Sequence, residues 1–63
     1  MRYKVYVEGR NLFSTITHCY EIEASGGEFD AVKIANSRFK KDYPPEYTIY
    51  CSMVGYYDPP AQA

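Results

Sequence analysis

The sequence predicts a small α+β domain, a ββαβ unit in which one helix packs on one face of a three-stranded antiparallel sheet of strand order 2-1-3. Three observations lead there. Residues 2–8 alternate strictly between apolar and polar, a second alternating run covers residues 15–24, and an amphipathic helical stretch precedes one more strand-like run at 47–56.

In the first run Tyr3, Val5 and Val7 share one face, while Arg2, Lys4, Tyr6 and Glu8 share the other. This two-residue period belongs to a half-buried strand. Gly9, Arg10 and Asn11 break the pattern with turn-type residues, and Leu12 to Ser14 round a hairpin loop. The second strand sets Ile16, His18, Tyr20 and Ile22 against Thr17, Cys19, Glu21 and Glu23. Two strands so joined pair antiparallel, and charge suggests the register. With Lys4 opposite Glu21, Arg2 meets Glu23, Val5 meets Tyr20 and Tyr3 meets Ile22, so each cross-strand pair is compatible.

Ser25-Gly26-Gly27-Glu28 forms the turn into a helix with a capped start, acidic Glu28 and Asp30 at its positive end and Arg38, Lys40 and Lys41 at its negative end. Ala31, Val32, Ala35, Phe39 and Tyr43 fall in one stripe, with Phe29 at its edge and Ile34 off the far side. Tyr43-Pro44-Pro45 ends the helix, because proline disfavours helical geometry in the residue before it. In the last strand unbroken alternation puts Ile49, Cys51 and Met53 toward the helix and Tyr50, Ser52, Val54 and Tyr56 outward. Strand directions then place the third strand beside the first by a right-handed crossover. Residues 1–57 are expected to form the single domain and 58–63 a flexible tail.

A domain of 63 residues buries only about 60% of the surface its unfolded chain exposes. Cys19 and Cys51 read as reduced thiols rather than as a staple, and Met-Arg-Tyr-Lys leads straight into a strand without an apolar leader or membrane span. The expected compartment is the cytoplasm. A net charge of −1 gives no global attraction to nucleic acid or anionic lipid. The unusual compositional feature is eight tyrosines without a tryptophan, since tyrosine serves both as a core filler with a polar tip and as a favoured interface residue.

Chemical signatures are weak throughout. His18 and Cys19 are sequence neighbours, but neighbours on a strand point to opposite faces and cannot form a nucleophile–base pair. One histidine and two distant cysteines match no zinc spacing. Glu21 and Glu23 lie about 6.5–7 Å apart on one face, a separation glycosidase carboxylates use, yet opposite Arg2 and Lys4 they read as ion-pair partners. Gly26-Gly27 is not followed by the lysine and serine or threonine of a phosphate-binding loop, and Glu28 and Asp30 repel anions. An enzyme, a metal and a cofactor are therefore not expected.

What remains is the sheet face without a helix. Tyr6, Tyr50, Val54 and Tyr56, with Lys4 and Arg2 as rim charges, form the expected partner-binding patch. The leading expectation is a non-enzymatic protein-binding or regulatory module that self-associates as a homodimer through this face or through an edge strand. The alternative is nucleic-acid binding by the sheet tyrosines and by Arg38, Lys40 and Lys41 at the helix end.

Overall fold

A computed structural model describes residues 2–56 of the chain. Strand β1 (Arg2–Arg10), strand β2 (Thr15–Glu23), helix α1 (Glu28–Asp42) and strand β3 (Thr48–Tyr56) follow in that order. The strands form one antiparallel sheet of order β2-β1-β3, the topology expected from the sequence. The tail expected at 58–63 lies outside the described residues.

The β1–β2 ladder runs in the register that charge suggested, with Arg2 opposite Glu23 and Lys4 opposite Glu21. It continues through Gly9 and Arg10, so Gly9 belongs to the strand and not to the turn. The reason lies across the core. A Cβ placed on Gly9 would come within 2.3 Å of Cζ of Phe39, so the absent side chain is what lets the helix lay its aromatic ring on the central strand.

Tyr3, Val5 and Val7 of β1, Tyr20 and Ile22 of β2, Ala24, and Ala31, Ala35 and Phe39 of α1 make up the buried core. The two alanines recur at i and i+4, where a small side chain brings helix and sheet close together. Acidic Glu28 and Asp30 and basic Lys40 and Lys41 occupy the first and last helical turns, complementing the macrodipole. No side-chain hydrogen bond caps the helix start. Gly27 is the N-cap at φ 90°, a conformation suited to glycine, and its carbonyl accepts from the Ala31 N–H at 3.1 Å. At the other end Tyr43 is extended and its N–H donates to the Phe39 carbonyl, as expected of a residue before proline.

Strand β3 departs from the sequence expectation in one respect that reverses half its side chains. Its register against β1 shifts between Glu8 and Gly9: Cys51 faces Glu8, Ile49 faces Gly9, and Tyr50 is the additional residue. Such a bulge inverts the alternation on one side of itself. Ile49 faces the helix as expected and Tyr50 faces outward. Beyond the bulge Ser52 and Val54 turn toward the helix, while Cys51 and Met53 turn away, the reverse of unbroken alternation. The physical gain is clear from the spacing. Ile49 and Val54 are an odd number of residues apart, and only an extra residue lets both pack on the same core.

Candidate functional site

The face of the sheet opposite the helix is built in rows across the strands. Arg2 and Glu23 stand at one end, followed by Glu21, Lys4 and Gly55, then Cys19, Tyr6 and Met53. Thr17, Glu8 and Cys51 come next, and Thr15, Arg10 and Thr48, with bulged Tyr50 beside them, close the face. The middle row is the apolar one: Tyr6 is 41% exposed and Met53 62%, and they sit opposite one another on adjacent strands. Tyr50, also 62% exposed, lies under the Arg10 guanidinium, whose carbon is 3.5 Å from the ring centre.

Cations on this face have acidic neighbours. Arg10 pairs with Glu8 at 3.2 Å, and the register sets Arg2 and Lys4 opposite Glu23 and Glu21. A phosphate backbone approaching here meets both signs of charge. Cys19 and Cys51 are free, both on this face, and strand β1 separates them. Two inter-strand spacings of ~4.8 Å put them beyond the span of a disulfide.

Of the residues expected to make up the partner patch, Tyr6, Tyr50, Lys4 and Arg2 lie on the uncovered side. Val54 does not: it packs against the core from the helix side and lines a groove there with Glu28, Phe29, Val32 and Ser52. The bulge at Tyr50 is the cause. Tyr56 pairs with Tyr3 on the last rung, and its side chain lies outside the description. Met53 replaces Val54 in the outward patch, and Cys19 flanks it.

The tyrosine excess divides between the two sides of the sheet. Tyr3 and Tyr20 are core residues, and Tyr43 and Tyr47 pack against the core. Tyr20, Tyr43 and Tyr47 belong to an aromatic cluster at the C-terminal end of α1. Tyr43 lies 4.6 Å from Phe39 and 6.2 Å from Tyr47 between ring centres, and His18 stacks on Tyr20 at 4.3 Å. Their polar tips are paired: Tyr43 Oη and His18 Nδ1 share a hydrogen bond of 2.7 Å, and Tyr20 Oη donates to Asp42 Oδ2 at 2.8 Å. Burial, and then the adjacent Asp42 carboxylate, push the Tyr20 hydroxyl well above the ordinary tyrosine range. His18 thus ties β2 to the end of the helix, while Cys19 faces the other side of the sheet.

The hairpin tip holds a feature that alternation did not reveal. Leu12 is 93% exposed and Phe13 91%, yet the loop carrying them is braced. Asn11 Oδ1 accepts from the Phe13 N–H at 2.8 Å and the Ser14 N–H at 2.7 Å, an Asx-type turn, and Asn11 Nδ2 donates to Glu46 Oε2 at 3.2 Å. Ser14 Oγ also hydrogen-bonds Tyr47 Oη at 3.1 Å. Asparagine followed by two large apolar residues within a turn was the available signal.

Arg38, Lys40 and Lys41 are exposed at the helix end. Lys33, Arg38 and Lys41 line an open groove of about 320 Å³ along one flank of α1 together with Ser37 and Ile34, which packs against the core rather than lying off the far side. Among the described residues no cluster of His, Cys, Asp and Glu could hold a metal ion, and no buried side-chain polar atom lacks a hydrogen-bond partner. No helix there is long and apolar enough to cross a membrane. No protein-family model, curated protein or solved structure matches the chain.

Proposed function

We propose that the chain is a small non-enzymatic protein-binding module that self-associates and offers its uncovered sheet face as a contact surface. The observation carrying this reading is the row Cys19, Tyr6 and Met53, which crosses all three strands on the side without a helix. A tyrosine ring on a regular backbone loses little conformational entropy when covered, and aromatic residues and methionine are both enriched in interfaces. The charged rows on either side supply a polar rim.

Sedimentation velocity at two protein concentrations tests the reading. The expected result is association that grows with concentration and changes little between low and high salt. A species that stays monomeric while shifting short DNA or RNA in a gel overturns it. Nucleic-acid binding is the second reading, favoured by the groove in which Lys33, Arg38 and Lys41 converge. It carries a different signature, since affinity made by phosphate contacts falls steeply with salt and replacing Arg38 or Lys41 reduces that slope.

A further inference from the structure

We infer that the self-contact is made by the free edge of β2, which pairs antiparallel with the same strand of a second copy about a two-fold axis at Cys19. The inference rests on the self-association proposed above and names its partner, strand and register. β2 is an edge strand of nine residues, Thr15–Glu23, without glycine, proline, lysine or bulge. Natural sheets use those features to discourage edge pairing. The opposite edge, β3, carries two of them, Gly55 and the bulge at Tyr50.

The strand is complementary to itself when reversed. With Cys19 opposite its counterpart, Thr17 meets Glu21 and Thr15 meets Glu23 on the uncovered side. On the helix side His18 meets Tyr20 and Ile16 meets Ile22. Every residue of the strand is then paired, and no two acidic residues face each other. Slipping by one residue would set the apolar row of one copy beside the polar row of the other. Slipping by two leaves strand ends unpaired. A parallel pairing in line would stack Glu21 and Glu23 on their own counterparts.

The rest of the fold tolerates this arrangement. The helix rests over β1, where Phe39 touches Gly9. Two such helices on a six-stranded sheet stand about 14 Å apart, three spacings of ~4.8 Å, which exceeds the ~10 Å diameter of a helix. Half-buried Ile16 gains a neighbour, Ile22 of the second copy. The uncovered faces merge into one surface carrying two Tyr6–Met53 pairs, so dimerisation enlarges the contact surface rather than consuming it.

Cross-linking reads the register directly. In a chain carrying Cys19→Ser and Cys51→Ser, single Thr17→Cys and Glu21→Cys variants are prepared and mixed under mild oxidation by diamide. Each disulfide takes two electrons and two protons from a thiol pair, and diamide is reduced to the hydrazine. The expected product is the mixed dimer of Thr17→Cys with Glu21→Cys, in clear excess over the two self-linked dimers together, which random pairing would only equal, because the two positions are opposite only in this register. Thr15→Glu, which sets an acid beside Glu23 of the second copy while facing Arg10 in its own chain, should weaken association two- to thirtyfold for two symmetry-related pairs. Thr17→Lys should strengthen it over the same range.

Equal amounts of self-linked and mixed products, or association unaffected by Thr15→Glu but lost in Tyr6→Asp, overturn the edge pairing and leave self-association through the sheet face standing. A chain that remains monomeric at every concentration overturns both proposals.

Discussion

The two edge strands of this sheet are equal in length but differ in regularity. β2 alternates without interruption, and its pairing with β1 follows from charge and apolar pattern alone. β3 carries the bulge at Tyr50, which returns Val54 to the core and sends Met53 to solvent. Regularity leaves a strand ready to pair again on its free side, whereas a bulge twists an edge and interrupts its row of donors and acceptors. On the edge pairing proposed above, the difference separates a joining edge from a closed one.

The largest expected effect comes from removing the ring that anchors the helix beside the bulge. Phe39→Ala deletes a fully buried side chain lying on Gly9, next to the register shift. It should cost about 3–5 kcal/mol in denaturant unfolding, large against the stability of so small a domain. Gly9→Ala reaches the same contact from the strand. Its new methyl group meets the Phe39 ring, so overpacking should cost about 1–3 kcal/mol, and that penalty should largely vanish when the two changes are combined.

A finer comparison sets neighbours on β3 against each other. Val54→Ala should destabilise by about 1 kcal/mol, because its methyl groups pack on the core, while Met53→Ala should stay within about 0.5 kcal/mol. Unbroken alternation along β3 predicts the opposite order, so this pair of variants tests the bulge in solution.

An effect of similar size concerns β2 and pH. Tyr20 keeps its proton in the fold to higher pH than a free tyrosine, owing to burial and then to Asp42. An unfolded chain loses that proton near pH ~10 and the folded chain later, so the stabilisation is complete below that pH and declines as pH rises through and above it. Tyr20→Phe should flatten this alkaline decline while costing about 1 kcal/mol at neutral pH through the lost hydrogen bond to Asp42. Chemical unfolding at pH 7 and at alkaline pH measures both.

How far the sequence was legible follows the same division. β1 has its aliphatic residues at one parity only, with Tyr6 the single aromatic at the other, so its faces and its register with β2 could be read directly. β3 has them at both parities, with Ile49, Cys51 and Met53 on one and Tyr50, Val54 and Tyr56 on the other, and a pattern of period two cannot choose between them. Tertiary packing chose, by inserting Tyr50. Gly9 shows a related limit. A glycine at the end of a strand pattern reads as punctuation until the residue above it is known, and Phe39 lies thirty positions further along the chain. Tyr6, Tyr50, Lys4 and Arg2 were placed outward correctly. Met53, Leu12 and Phe13 were missed, because exposure of an apolar residue is decided by what fails to cover it.

Hydrogen–deuterium exchange followed at low and high protein concentration compares the edges most directly. Amides along β2 should exchange more slowly at high concentration, with β3 unchanged, as pairing through the regular edge requires. Protection that rises along β3 instead, or that does not depend on concentration in either strand, would contradict it.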